Sequence, residues 1–326
     1  MIPLSVLDLV SIREGFTPAD ALAETAATAK AAEDASYRRY WTAEHHGMDG
    51  LVGGAVSVVL AHVGHATSKI RIGAGGIMLP NHNPLVIAEQ FGTLDALFPG
   101  RIDLGLGRAP GADMRIANAL RKDVARAAEY FPQDVVELQS YFSDEPQVPI
   151  RTSVAVGARI GIWILGSSLF GAQLAALLGL PYAFASHFAP TLLDQALRTY
   201  RENFKPSAVL DRPHAMVAMT VLAAESDEEA AYLASSMEQS FVAFRTGRPN
   251  RLKPPVEGYR ETLYPHELAT IDAVRSVRAV GGPETVRREI TAFVERTGAD
   301  ELILGGSIYD QEARHRSLRI VAEALS

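Results

Sequence analysis

The 326-residue sequence contains no cysteine. That absence removes disulfides, thiol nucleophiles, iron–sulfur clusters and cysteine-ligated zinc. Positive charge is in short supply too: 31 Lys and Arg stand against 38 Asp and Glu, a net charge of −7. Nucleic-acid binders carry a basic patch that neutralises phosphates. Neither the balance nor any local run provides one, so no nucleic-acid partner is expected. Like-charge blocks, low-complexity tracts and internal repeats are missing as well. The stretch 1–11 is apolar but has no basic segment before it, the first basic residue being Arg13, so no export signal is expected. Charge vanishes altogether between Arg159 and Asp194. There Gly166-Ser167-Ser168, Gln173, Gly179, Pro181 and Pro190 cut the chain into pieces of about ten residues, too short to span a bilayer. The expectation is a soluble, cytoplasmic protein with no membrane association.

What is present is an ordinary globular mixture, 48% hydrophobic and 21% charged, with enough apolar surface for a large core. Helix starts recur. Thr17-Pro18-Ala19-Asp20 combines an N-cap hydroxyl, proline at the first helical position and a carboxylate three residues after the cap. Asn83-Pro84 repeats the order of cap and proline; Thr191…Asp194 and Ser226…Glu229 read as capping boxes. Gly282-Pro283-Glu284 opens a helix to about Thr297, and a last helix is expected over 311–324. Between helices fall eight runs rich in branched residues: Leu4–Val10, Arg39–Thr42, Ile70–Met78, Ile102–Gly107, Gly161–Leu165, Tyr182–Ala185, Ala215–Leu222 and Glu301–Leu304. Several are apolar without alternation, the pattern of parallel strands buried on both faces. Eight strands alternating with helices predict an α/β fold, a closed (β/α)8 TIM barrel formed by residues 1–326 as one domain, with an open doubly wound sheet as the alternative. The irregular stretch 246–272 reads as a lid, and 143–160 as a shorter excursion.

In such a barrel the active site is built from the loops at the carboxyl ends of the strands. Glu44-His45-His46 lies just after the second strand, Met78-Leu79-Pro80-Asn81-His82-Asn83 after the third, Gly107-Arg108 after the fourth and Gly166-Ser167-Ser168 after the fifth. Ser167 and Ser168, at a strand-to-helix junction, offer hydroxyls and free backbone N–H groups at the positive end of a helix, a natural anion cradle. Arg108 is placed to add a guanidinium to the same anion. The plainer readings are an N-cap serine and an ordinary ion-pair arginine. Gly73-Ala74-Gly75-Gly76 lies inside a strand without dinucleotide spacing, which points to a bulge, a ligand passing close to the backbone, or tight packing alone. His45 and His46, being consecutive at a strand end, point in opposite directions. Neither H-E-x-x-H nor H-x-x-E-H occurs, so no metal is expected; one imidazole is left to face the mouth and move a proton. The helix at about 53–66 carries no charge on any face, which predicts a second subunit packed against it.

Taken together these motifs resemble the bacterial luciferase-like monooxygenase family. The resemblance rests on Trp41-Thr42-Ala43-Glu44-His45-His46-Gly47, Gly75-Gly76-Ile77-Met78-Leu79-Pro80-Asn81-His82-Asn83-Pro84, Ala88-Glu89-Gln90 and Leu94-Asp95. It continues through Gly100-Arg101-Ile102-Asp103-Leu104-Gly105-Leu106-Gly107-Arg108, Leu165-Gly166-Ser167-Ser168, Leu180-Pro181-Tyr182-Ala183-Phe184-Ala185-Ser186-His187-Phe188 and Val280-Gly281-Gly282-Pro283-Glu284. The resemblance implies a TIM barrel that binds FMN and uses the reduced flavin with O2 to oxygenate a small organic substrate, an aldehyde or ketone. His45 matches the family's catalytic histidine. Arg108, Ser167 and Ser168 match positions that hold the flavin phosphate, and Gly75 and Gly76 match a bulged cis-peptide under the flavin ring. With no nicotinamide fingerprint in the chain, a separate NAD(P)H:flavin reductase is implied, as is a homodimer through the helix at 53–66. Two departures stand out: Gly107 replaces the light-emitting enzymes' reactive cysteine, and Ser167 and Gly171 replace their glutamate and threonine on the phosphate turn. Related barrels use deazaflavin F420 for hydride transfer, and some relatives bind flavin without turnover; both are alternative readings.

Overall fold

A computed structural model describes residues 2–108, 114–120, 123–248 and 251–326. Its strands are β1 (Leu4–Asp8), β2 (Arg39–Thr42), β3 (Arg71–Met78), β4 (Ile102–Gly107), β5 (Gly161–Gly166), β6 (Tyr182–Phe184), β7 (Ala215–Ala223), β8 (Arg278–Gly281) and β9 (Glu301–Gly305). The helices are α1 (Pro18–Asp34), α2 (Val56–Ala66), α3 (Pro84–Leu97), α4 (Met114–Ala119), α5 (Val124–Glu129), α6 (Phe131–Phe142), α7 (Leu169–Leu178), α8 (Leu193–Asn203), α9 (Asp227–Arg245), α10 (Pro265–Asp272), α11 (Pro283–Thr297) and α12 (Gln311–Ala324). Every strand pairing is parallel. β1 to β7 pair in chain order, and β9 closes the ring by pairing with both β7 and β1. The eight ring strands are the eight apolar runs of the sequence. β8 is not among those runs: it is four residues long, half-buried on alternate positions, and pairs outside the ring with the last residues of β7.

Alternation divides the strands' side chains between an outer core under the helices and the barrel interior. Leu7, Trp41, Trp163, Leu165, Ala183, Met216, Ala218 and Ile303 fill the interior, with the two indoles edge to face at 5.4 Å. One layer toward the strands' N-terminal ends, the filling is ionic. Arg39 donates from Nε to Glu301 at 2.7 Å and from Nη1 to Asp103 at 2.7 Å; Arg71 pairs with the other Asp103 oxygen, and Ser5 donates to Glu301. Arg39 is 5% exposed and Asp103 and Glu301 are fully buried. This plug seals the pole opposite the strands' carboxyl ends.

Several local expectations are corrected. The Thr191…Asp194 box does not form: Pro190 starts a 3-10 turn over Pro190–Leu192, so α8 begins at Leu193 with Leu192 at its N-cap. The helix expected over about 53–66 starts at Val56, and Val58, His62 and His65 form an exposed stripe on it. The stretch 246–272 is partly regular. Tyr259–Thr262 is a 3-10 turn, and α10 forms because Pro265 sits at its first position and Glu267 reaches back to the Tyr264 N–H. Pro249 and Asn250 of that stretch lie outside the described residues. Its start docks onto the loop after β1: the Leu252 N–H donates to Ile12 O at 2.9 Å and the Glu14 N–H to Leu252 O at 2.8 Å.

Removing one member of a buried ion network strands the others without compensation, at a cost of about 3–5 kcal/mol. Arg39→Ala is therefore expected to lower the unfolding free energy in urea by about that amount. A loss below about 1 kcal/mol would show that the plug contributes little.

Candidate active site

The ladder between β2 and β3 extends past β2, because the Glu44 N–H donates to Gly76 O at 3.1 Å. Alternation therefore carries on: Arg39 and Trp41 face inward, and Ala43 and His45 share their side, while Tyr40, Thr42 and Glu44 take the other. His45 is half-buried and its Nδ1 is sealed with no hydrogen-bond partner among the described residues. Burial holds its pKa below the usual imidazole value, partly offset by the Ala43 carbonyl and the charge of Glu44. The ring is neutral near pH 7.

His46 turns the other way. Its Nε2 lies 2.7 Å from Glu44 Oε1, and His82 Nε2 lies 2.9 Å from Glu44 Oε2. Asn81 Nδ2 donates to Oε1 at 3.2 Å and the Met78 N–H to Oε2 at 2.9 Å. Glu44, His46 and His82 bring three ligand-type atoms within 4.8 Å of one another, the spacing of a metal site. Each carboxylate oxygen already accepts two N–H donors, however, which uses its lone pairs. The cluster is a hydrogen-bonded clamp that ties the loop after β2 to the loop after β3. Burial pushes the Glu44 carboxyl up, but His82, the Met78 N–H and Asn81 outweigh it and hold it below the ordinary range. Its sequence signal is a lone glutamate out of phase with His45, opposite Asn81-His82 on the next loop.

On β3 the peptide between Gly75 and Gly76 is cis, and the register with β4 slips between Gly75 and Ile77. A Cβ on Gly75 would meet Trp41 at 2.9 Å, and one on Gly76 would meet Gly105 O at 2.6 Å. Packing alone therefore requires both glycines. Gly105 and Gly107 on β4 are packed as closely, against Leu165 and Met78.

Arg108 comes directly after β4. It is exposed, forms no ion pair among the described residues, and lays its guanidinium 4.1 Å from the Phe170 ring while Nε donates to Ala128 O. Phe170 is the second residue of α7, so Arg108 lies beside that helix's first turn. Ser168 is the N-cap of α7, in extended conformation, yet its hydroxyl makes no capping bond; Ser167 and Ser168 are both exposed. Thr17, Asn83, Ser226 and Asp310 do cap their helices. Among the described residues the first N–H groups of α7 thus remain uncapped, with the Ser167 and Ser168 hydroxyls unpartnered and the Arg108 guanidinium beside them.

His45, Gly75 and Gly76, Arg108, and the serine pair belong to four successive strands of one parallel ring, at or just beyond their carboxyl ends, so they share one pole and one arc of its rim. A closed barrel with a half-buried neutral imidazole and an exposed arginine and serine pair on that rim has the layout of a small-molecule enzyme. The chain belongs to the luciferase-like monooxygenase family, whose model matches residues 3–301. It is 46% identical to a luciferase-like monooxygenase of Escherichia coli K12 over 99% of this chain and 96% of that one. It is 31% identical to the N-acetyl-S-alkylcysteine monooxygenase of Bacillus subtilis over 100% and 98%. The crystal structure of apo-MsnO8 superposes with a TM-score of 0.89 at 33% identity, covering 99% and 98%. The FMN complex of the oxygenating constituent of Pseudomonas putida 3,6-diketocamphane monooxygenase shares the fold, with a TM-score of 0.78 at 17% identity over 100% and 98%. So does an F420-dependent secondary alcohol dehydrogenase, at 0.66 and 16% over 100% and 99%.

Because Glu44 is ionised in the folded state with a lowered pKa, its contribution is present above the ordinary carboxylate value and fades as the pH falls below it. Glu44→Gln should cost about 1–3 kcal/mol at pH 7, one acceptor pair being replaced by an amide NH2. The gap to wild type should narrow below pH ~4.3. A pH-independent gap in urea titrations would rule out the charged clamp.

Proposed function

We propose that the protein is the oxygenase component of a two-component flavin monooxygenase. It would take reduced FMN from a separate flavin reductase and oxygenate a small aldehyde- or ketone-like substrate with O2. The observation that carries this reading is the uncapped start of α7 with Ser167, Ser168 and Arg108 gathered at it. Unsatisfied N–H groups, hydroxyls and a guanidinium suit a phosphate dianion. The FMN-bound relative and the monooxygenase activities named for the family's characterised members support the choice of cofactor and chemistry.

Bound there, FMN would supply the electrons that activate O2. The rest of the work falls to the chain. Ser167, Ser168 and Arg108 hold the phosphate, and the backbone at Gly75 and Gly76 lies under the flat ring. The start of the 246–272 stretch, clasped to Ile12 and Glu14, covers the rim beside β1 and limits water. His45, neutral and with Nδ1 sealed, takes up or returns a proton at Nε2, the ring nitrogen outside the seal.

A second copy fits the uncharged stripe of α2, where Val58 is 68% exposed, next to the exposed Val86 and Leu97 of α3. Val58→Asp should convert a dimer to a 35.1-kDa species in sedimentation; a wild-type monomer at micromolar concentration refutes this part.

The central test is a flavin titration paired with oxygenation assays. Wild type should bind FMN saturably, and replacing Ser167 and Ser168 by Ala together with Arg108→Ala should weaken binding at least tenfold. His45→Ala should bind FMN normally but lose about 10²–10⁴-fold in coupled oxygenation. Retention of more than a tenth of that activity overturns the role of His45. Uptake of F420 in place of FMN would move the reading to hydride transfer, and FMN binding without O2 consumption across a varied substrate panel would make the protein a carrier.

A further inference from the structure

The rim opposite His45 carries a second imidazole, which has no task in holding the flavin or moving the proton at His45. In the ring order β2 and β6 lie four strands apart, on opposite sides of the barrel. Just past β6 the chain makes a tight turn, with the Phe188 and Ala189 N–H groups both donating to Ala185 O, and His187 sits in it. The turn is fastened on two sides. Ser186 Oγ donates to Ala218 O on β7, and Arg245, at the end of α9, donates to Phe188 O at 3.0 Å while its guanidinium lies 4.7 Å from the Phe188 ring and 5.1 Å from Phe241.

The direction of the His187 ring is set by its distance to Gly305. On β9, Glu301 and Ile303 point into the barrel, so a side chain at 305 would too. The position such a Cβ would occupy is 3.8 Å from His187 Cδ2. The imidazole has therefore crossed β7 and lies over the interior end of β9. Its Nδ1 is sealed and has no partner among the described residues, while the residue is half-buried. Burial alone lowers its pKa to about 4, with no charged group contributing, so the ring is neutral. A neutral imidazole has one N–H and one lone pair. A stranded N–H costs more than a stranded lone pair, which places the proton on Nε2, the nitrogen bonded to Cδ2 on the Gly305 side and outside the seal.

We propose that His187 is the substrate-positioning residue: its Nε2–H donates to the carbonyl oxygen of an uncharged aldehyde or ketone and holds that group across the mouth from His45. This rests on the oxygenase reading for its purpose but not for its test. The neighbours favour an uncharged ligand. Ser186, Phe188 and Gly305 carry no charge, and the Arg245 guanidinium is already engaged with Phe188. The exposed edges of Phe188 and Phe244, 5.9 Å apart, offer an apolar lip for the rest of the molecule.

The test uses full-length protein labelled with 15N-histidine, titrated with acetophenone and cyclohexanone and with their carbonyl-free counterparts ethylbenzene and methylcyclohexane. His187→Phe, which fills the space but cannot donate, assigns the ring resonance by its loss. The expected result is a saturable shift of the His187 Nε2 signal with at least one ketone and none with the hydrocarbons. His187→Phe should bind that ketone about five- to tenfold more weakly, one hydrogen bond's worth, with hydrocarbon affinity unchanged. His187→Gln, which keeps an N–H donor, should recover part of the loss. Ketone affinity within twofold of wild type in His187→Phe, a bound ketone that leaves the His187 signal unmoved, or failure of both ketones to bind would each overturn the assignment. FMN titration of the same samples separates the two readings: ketone recognition without FMN uptake sinks the flavin reading alone, and FMN uptake without ketone recognition sinks this one alone.

Discussion

Everything on the functional rim depends on the parallel closure of the ring. Because all eight strands run the same way, the residues just past β2, β3, β4, β5 and β6 arrive at one pole although up to about 140 positions separate them in the chain. An antiparallel sheet of the same strands would scatter His45, Arg108, Ser167 and His187 between two ends. Closure brings its own demand. The ring encloses a space that must be filled, and the sequence fills it unevenly, with ions at one end, two tryptophans and aliphatic side chains in the middle, and glycines on β3 and β4 toward the other end.

That gradient separates stability from chemistry. At the sealed pole nearly every charge has a partner: Arg39 spans Asp103 and Glu301, Arg71 closes on Asp103, and the last Glu301 oxygen lies 3.5 Å from His214 and 3.9 Å from Arg38. At the open pole Glu44 is satisfied four times over, which fixes the loops on either side of His45 without engaging His45 itself. The clamp and the imidazole belong to one tripeptide, and alternation alone assigns them their different tasks.

Much of this is legible in the sequence. The eight ring strands are visible as apolar runs because strands buried on both faces need no alternation, and Thr17, Asn83 and Pro283 announce their helices through caps and prolines. The rim residues can be found from the positions immediately C-terminal to each run, since a parallel barrel sends all of these to one end. β8 escapes because four residues that are half-buried on alternate positions leave no apolar signature. The Thr191 box fails because the same proline that marks helix starts also opens 3-10 turns, and three residues of local sequence do not distinguish them. The Glu44 clamp is beyond local reading: its donors come from two loops, and their meeting depends on the register between β2 and β3. His187 lies inside a motif whose evident feature is its apolar strand, while its inward direction is set by a glycine on β9, more than a hundred residues away.

The distribution of unsatisfied atoms ties the two sides of the mouth together. A buried polar atom without a partner costs about 1–3 kcal/mol, and a fold under no other constraint would pair or replace it. Here the sealed Nδ1 atoms of His45 and His187 stand on opposite sides of the same mouth, each on a ring kept neutral by its surroundings. Such a cost is not confined to the mouth, since Thr42, Ser236, Glu301 and Arg316 also carry a sealed polar atom without a hydrogen bond among the described residues; what sets the two imidazoles apart is a second ring nitrogen outside the seal. On the proposed reading Nδ1 is closed off in each imidazole, Nε2 is the nitrogen left to meet a molecule at the mouth, and the surroundings keep the ring neutral. A charged imidazole would be better solvated and could neither accept a proton nor present a single, directed N–H.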